Sequence, residues 1–331
     1  MTPVDLKEPE ITGGYIFKKD HEDRGKAGGF TTSRHIHFFF VEPKENELTD
    51  SQKAWLARYL NDFEKALYSP AFKDPVRGYA AYIHTDSFID LHWIVELSKN
   101  IDGYRLSSYL HKDRNGKLKA GPIWDWNLSF GNADYLEGWR PEGWYWPLIS
   151  HRNHLWFGRL FQDPDFNQKY IDRWAQLRTN QFAVSNILAK IDGIKLQLEE
   201  AQDRNFNRWR ILGQHVWPNR YVGKTYADEL NWMKSWIQQR IAWIDRQFVA
   251  PPAAAFANEV KGSGRLLALK AATGEIYYTM DGSDPRSPGG SISPKAQAYR
   301  GPISADTGAE IFARAYTAET WSAPVLRSLP K

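Results

Sequence analysis

The stretch SFIDLHWIVELSKNIDGYRLSSYLHKDRNGKLKAGPIWDWNLSFGN, residues 87–132, decides how the chain is read. From about Ser87 to Lys99, Phe88, Leu91, Ile94, Val95 and Leu97 recur at helical spacing, which predicts a helix. LSSYLHK and KLKAGPIWDW then read as short strands, and DRNG between them (Asp113 to Gly116) supplies turn chemistry, so a hairpin should follow. Asp102 falls where the helix ends, and Asp125 falls at the end of the second strand, in a tryptophan-flanked turn. A loop acid after a helix and a second acid at a strand end are what magnesium-assisted phosphoryl transfer requires. One carboxylate accepts the proton of the substrate hydroxyl while the other holds the metal bridging the phosphates. Acids at turns also serve as caps or sit in solvent, so spacing alone leaves both readings open.

Working outward, GGYIFKK (13–19) and HIHFFFV (35–41) read as strands. Thr49 with Gln52 has the form of a capping box, and Trp55, Leu56, Tyr59, Leu60, Phe63 and Leu67 follow at helical spacing. Residues 155–248 look mainly helical; the clearest piece starts near Thr225 and carries Leu230, Met233, Ile237, Ile241, Ile244 and Phe248. APPAAAFA (250–257) has linker composition. Beyond it RLLALKA, EIYYTM, EIFARAYT and WSAPVLRS alternate with turn residues, as in a small β-sandwich. The expected organisation is therefore an α+β domain over 1–249 and an all-β domain over 258–331.

Composition removes several classes of function. With 42% hydrophobic and 25% charged residues the 331-residue chain is globular in composition. No run approaches 18 consecutive apolar residues, so no membrane span is expected. Lys plus Arg number 43 against 39 acids, an excess of +4 too small to argue for a nucleic-acid partner. Cysteine is absent, which excludes disulfide scaffolds, thiolate metal sites and cysteine nucleophiles. The N-terminal MTPVDLKEPEITGG lacks the apolar core of a secretory signal. Tryptophan is abundant at 15 and clustered at 124, 126, 139, 144 and 146, which means a large core, a stacking surface, or both.

The quoted stretch, with GGY at 13, the helix ending in LYSP, GW (138–139), RLFQDPDF, the RW-x-x-LR stretch at 173–178 and AQDRNFNRW, resembles the spore coat protein H (CotH-like) kinase family over roughly residues 12–249. The resemblance implies an atypical kinase-like fold, here its mostly helical C-terminal lobe, that transfers phosphate from ATP, with Mg or Mn, to Ser or Thr of a protein substrate. It implies that Asp102, in N-x-D-G-Y, is the catalytic-loop acid and that Asp125, in W-D-x-[DN], is the metal-binding acid. Asn127 stands where relatives carry a second acid or amide, and is either another ligand or a turn residue. Ser107 occupies the position five after the catalytic aspartate, where protein kinases place a metal-binding asparagine. A kinase also needs a phosphate-covering lobe with a lysine, and Lys18 and Lys19 are the nearby candidates. The 12 residues before Gly13 are too few for such a lobe. The chain is accordingly expected to be the latter part of a longer surface or secreted bacterial protein, inactive alone if that lobe is missing.

Other candidates read more simply as structure. His35 and His37 alternate and would share a strand face, but no third metal ligand is evident; His151 and His154 have helical spacing among aromatics. Arg140, Arg152 and Arg159 could hold phosphate or stack on tryptophans. GKAGGF (25–30) lacks the ending of a P-loop and reads as a turn. YYTMDGSDPR, AQAYRGPI and ARAYTAETWSAP resemble the chitobiase/hexosaminidase C-terminal immunoglobulin-like module over about 258–328, which implies a spacer or polysaccharide-binding unit. There Asp281 and Asp284 suit turns more simply than calcium. The alternative to a kinase is a non-catalytic surface protein that binds glycan through exposed aromatics.

Overall fold

The protein is described by a computed structural model covering residues 1–21, 28–150, 153–256, 266–304 and 308–328. It divides into two compact units, one of Met1–Gln162 with Ile187–Arg240, the other of Asp163–Asn186 with Ile241–Lys331.

The first unit holds an antiparallel sheet of β1 (Tyr15–Lys19), β2 (Phe30–Thr31), β3 (His37–Glu42), β4 (Ser108–Lys112) and β5 (Leu118–Ile123), in the order β2-β3-β1-β4-β5. The predicted hairpin is β4–β5, paired from Lys112↔Leu118 to Ser108↔Ile123. Its turn uses Asn115 in the left-handed region at φ 55°, with Gly116 N–H donating to the Asp113 carbonyl at 3.0 Å. Helix α1 (Asp50–Leu67) starts at the predicted box: Thr49 Oγ1 accepts from Gln52 N–H and Gln52 Oε1 accepts from Thr49 N–H. Its Leu56, Leu60, Phe63 and Leu67 are buried at helical spacing, and Tyr59 contributes by donating its hydroxyl to the Tyr82 carbonyl.

Helix α2 (Thr85–Ser98) starts slightly earlier than the pattern suggested because His84 caps it, its side chain accepting from Ser87 N–H. It is apolar on most of its circumference and buried on most of it, with Phe88, Ile89, Trp93 and Val95 all nearly inaccessible. Around Phe88 gather Trp156 and Phe157; Trp156 meets Phe63 edge-on at 4.8 Å and stacks on Phe38 at 5.9 Å. The tryptophans of the core are Trp93, Trp156, Trp174, Trp236 and Trp321, whereas of the clustered ones Trp124 is exposed and Trp126, Trp139, Trp144 and Trp146 are half-buried. The short α3 (Phe157–Leu160) and the long helices α4 (Pro164–Arg178), α5 (Val184–Arg208) and α6 (Tyr226–Asp245) form the predicted helical stretch.

The second unit contains two antiparallel sheets. One comprises β6 (Ala253–Phe256), β7 (Leu266–Lys270) and β10 (Ile303–Ser304); the other comprises β8 (Glu275–Thr279), β9 (Gln297–Ala298), β11 (Glu310–Thr317), β12 (Thr320–Trp321) and β13 (Val325–Ser328). Leu267, Leu269 and Ile303 from one sheet share a core with Ile276, Ile311 and Ala313 from the other. Ala253–Phe256, inside the stretch with linker composition, is a strand: its backbone pairs with Leu267–Lys270, and this pairing overrides the weak strand preference of alanine. Helix α4 belongs to this unit. Arg314 of β11, nearly inaccessible, bonds Asp172 of α4 at 2.7 and 2.8 Å and Asp284 at 2.8 and 2.6 Å.

Candidate functional site

The loop after α2 is built around its aspartate. Lys99 ends the helix in the left-handed region at φ 47° and donates to the Arg140 and Glu142 carbonyls at 3.0 and 2.7 Å. Asn100 Oδ1 accepts the Asp102 amide at 3.1 Å, while its buried Nδ2 has no hydrogen-bond partner among the described residues. Gly103 is needed for close approach, since a Cβ there would lie 2.5 Å from Val95 Cγ1. Asp102 Oδ1 accepts from Arg105 Nη2 at 2.6 Å, and Arg105 Nε donates to the Ile101 carbonyl at 2.9 Å. The Asp102 side chain keeps 18% of its surface exposed.

Buried groups brace this loop from beneath. The Tyr145 hydroxyl donates to the Ile101 carbonyl, and its ring stacks on Tyr104 at 6.0 Å. Tyr104 in turn donates to the His92 carbonyl at 3.2 Å and to Glu96 Oε1 at 3.3 Å. Glu96 and Arg240, both inaccessible, pair at 3.1 Å; Glu96 also accepts the Tyr145 and Trp146 amides, each at 2.9 Å. Arg240 spends its remaining donors on the Glu96, Pro141 and Gly143 carbonyls. His92, caged by Tyr104, Phe157 and Phe161, is held neutral by burial, its pKa well below the usual range.

Lys19 closes the loop from the sheet side. It is buried, and its Nζ donates to the Arg105 carbonyl at 3.1 Å, the Tyr104 carbonyl at 3.4 Å and Asn153 at 3.3 and 3.4 Å. Burial first, and the Arg105 charge second, lower its pKa to about 8. Lys18 pairs instead with Asp20 at 2.8 Å. Burial works against the Asp20 carboxylate, but bonds from Lys18, the His21 amide and the Ser107 amide hold it below its ordinary range.

Asp125 follows β5, exposed, at φ 58°. The structure brings its segment beside the Asp102 loop. Ile101 N–H donates to the Leu128 carbonyl at 3.3 Å, Phe130 N–H to the Ser98 carbonyl at 2.7 Å, and Trp126 Nε1 to Ser98 Oγ at 2.8 Å. Asn127 is exposed and its carbonyl accepts from Asn132 Nδ2 at 2.9 Å. Ser107, at φ 49°, is buried with its amide turned to Asp20. No group of three or more His, Cys, Asp or Glu side chains able to hold a metal occurs among the described residues. A magnesium ion carrying nucleotide phosphates and waters needs only one or two protein oxygens, and Asp125 with Asn127 offers that hard donor set.

The remaining candidates go to structure. His35 lies in a turn at φ 62° before the strand, so it does not share a face with His37, whose ring bonds Thr31 Oγ1 and the Gly28 carbonyl, both at 2.9 Å. His154 is buried against Trp146, and Arg159 lies over the Phe72 ring at 3.6 Å; His151, Arg152 and residues 25–27 of the glycine-rich turn lie outside the described residues. Arg140 pairs with Glu137 at 3.4 Å. Bonds from Ser283 and Lys295 hold the Asp281 carboxyl below its ordinary range, and Asp284 is bonded by Arg314 at 2.8 and 2.6 Å. The sequence reading missed Glu96, Arg240 and Tyr145; the signal that could have found Glu96 is an acid between Val95 and Leu97 on a largely apolar helix, while Arg240 and Tyr145 carry none.

A model of the family described as CotH kinase protein matches residues 7–244. The chain belongs to the CotH kinase family. This CotH kinase domain is followed by a match to the family described as Fn3 associated over residues 267–326, which corresponds only loosely to the chitobiase-like module expected there. No curated protein matches the chain. Family membership implies nucleotide use and a protein substrate, and no helix among the described residues is long and apolar enough to cross a membrane.

Proposed function

We propose that this CotH kinase chain takes part in phosphoryl transfer from ATP, with Mg or Mn, to a Ser or Thr hydroxyl of a protein. The observation that carries this reading is the pairing of two backbone segments. The Asp102 loop and the Asp125 turn are hydrogen-bonded to each other through Ile101 and Leu128, and both present carboxylates to solvent. Asp102 is the proton acceptor: Arg105 fixes Oδ1, and Oδ2 makes no bond among the described residues. Asp125 and Asn127 would hold the divalent ion, with the Ser107 hydroxyl as a further oxygen if the loop turns it outward. When bound, that ion neutralises charge on the phosphates. The buried brace under Asp102 keeps the acceptor carboxylate at a fixed place, which is how positioning lowers a barrier.

The test is transfer of labelled phosphate from ATP to protein, together with melting in the presence of ATP and Mg. Saturating nucleotide should raise stability by about 2.7 kcal/mol at a hundredfold excess over Kd. Asp125→Asn should remove the magnesium-dependent part of that rise. Absence of both transfer and stabilisation would sink the reading. Trp124, Trp209 and Trp217, 59%, 60% and 71% exposed, favour the second reading, a glycan-binding surface protein; retention on polysaccharide without nucleotide stabilisation would support it.

A further inference from the structure

The segment that follows Asp125 also walls a cavity of about 370 Å³, whose opposite side comes from residues 206–233. That volume is within the ordinary range for ligand pockets, about 300–1,000 Å³. Its aromatic walls are fixed from behind. The Trp126 indole donates to Ser98 Oγ at 2.8 Å, Phe130 meets Trp236 edge-on at 6.3 Å, and Trp232 stacks on Tyr221 at 4.7 Å with the rings 6° from parallel. Gly131 lets the wall pass close to Trp236, since a Cβ there would lie 2.7 Å from the indole.

Chemistry decides what the cavity takes. Its lining contains no Lys, Arg or His, and its only formal charge is Glu229, whose Oε1 accepts the Gly223 amide. A cation-free pocket does not hold a triphosphate, so it is not the nucleotide's phosphate site. Four side-chain amides, Asn127, Asn132, Gln214 and Asn219, stand among the rings. An amide donates and accepts together, as a peptide backbone requires. Rigid ring faces suit a flat apolar side chain. Asn127, which lines the cavity, is two residues from Asp125, so the cavity wall and the proposed transfer site share one segment of chain.

We propose that this cavity binds the acceptor protein, seating a large aromatic side chain of the segment that carries the hydroxyl to be modified. The side chain lies against Trp126 and Trp232, and neighbouring peptide groups bond the Asn and Gln amides. Glu229 disfavours acidic flanking residues. The inference rests on the phosphotransfer reading and names the acceptor's chemistry.

The test is made on the full chain without nucleotide. N-acetylphenylalaninamide is titrated while the indole N–H resonances of Trp126 and Trp232 are followed, with N-acetylalaninamide and chitohexaose as comparators. Both indoles should move saturably with the phenylalanine compound, at least tenfold more tightly than with the alanine compound. Val216→Arg, at a 39% exposed lining position where the core is undisturbed, should weaken this at least tenfold. Unmoved indoles, or equal binding by the variant, would overturn the proposal. So would chitohexaose moving them where the phenylalanine compound does not, since the site would then be for glycan. Binding as expected, with no peptide carrying Ser near Phe accepting phosphate from ATP, would uphold the peptide pocket and overturn the transfer reading instead.

Discussion

The two candidate acids are held in opposite ways. Asp102 sits on a loop whose carbonyls are tied down by Lys19, Tyr145 and Arg105, and whose support ends in a fully buried Glu96–Arg240 pair. Asp125 sits on an exposed turn between the end of β5 and the Trp126–Phe130 segment bonded to Ser98 and Ile101, and its own side chain has no buried support of this kind among the described residues. The contrast suits the roles proposed for them. A proton acceptor works from a fixed position before substrate arrives, so structure spent beneath it is useful. A metal-holding carboxylate completes its coordination with phosphates and waters that come with the nucleotide, so it can wait in solvent.

If that division holds, the largest effect belongs to the fixed acid. Asp102→Asn keeps the shape and should lower transfer about 10²- to 10⁴-fold, the usual worth of a positioned general base, with nucleotide-dependent melting unchanged. Transfer at the parent rate would erase the distinction between the two acids. Next comes the brace itself. Arg240→Met strands a buried carboxylate and should cost about 3–5 kcal/mol in urea unfolding. Adding Glu96→Gln should recover most of that loss, because the stranded charge is then gone. No recovery would mean that Arg240 matters for its carbonyl bonds rather than for its pairing.

Much of the scaffold around these acids was readable, and for local reasons. The Thr49–Gln52 box, the α2 register and the Asp113–Gly116 turn depend on neighbours a few residues away, and all three formed as the pattern indicated. Ala253–Phe256 was misread because its strand is made by pairing with Leu267–Lys270, which no periodicity in an alanine run reveals. His35 was placed in a strand because alternation was counted through a turn. At the site, the two aspartates stood out by motif, but their support did not. Arg240 lies 144 residues from Glu96, and Lys19 lies 85 or more from the carbonyls it bonds. Long-range polar pairing leaves no spacing signal on either partner.

Lys19 gives a smaller and more selective probe of the brace. Its folded pKa, about 8, lies below that of an unfolded lysine, so between about pH 8 and 10 the unfolded chain binds more protons than the folded one. Stability should therefore rise with pH across that window and be flat below it, by at most about 1.4 kcal/mol per pH unit for this group. Lys99, also lowered to about 8 by burial, adds a slope of the same sign. Lys19→Met should remove one share of the slope in pH-dependent urea unfolding, while a substitution of exposed Lys7 should leave it unchanged. An unaltered slope in Lys19→Met would show that this ammonium is not the group being titrated.

The finest test separates holding the loop from merely stabilising the protein. Tyr145→Phe keeps the ring stacked on Tyr104 and deletes only the hydroxyl that donates to the Ile101 carbonyl, one residue before Asp102. Unfolding free energy should fall by about 0.5–1.5 kcal/mol, the net worth of one hydrogen bond. If the bond positions Asp102, kcat should fall several-fold while KM for nucleotide stays put, because the exposed Asp125 turn is untouched. A change in stability alone, with kcat preserved, would reduce the tyrosine to packing and would make the fixed acid less dependent on its brace than the contrast between the two loops requires.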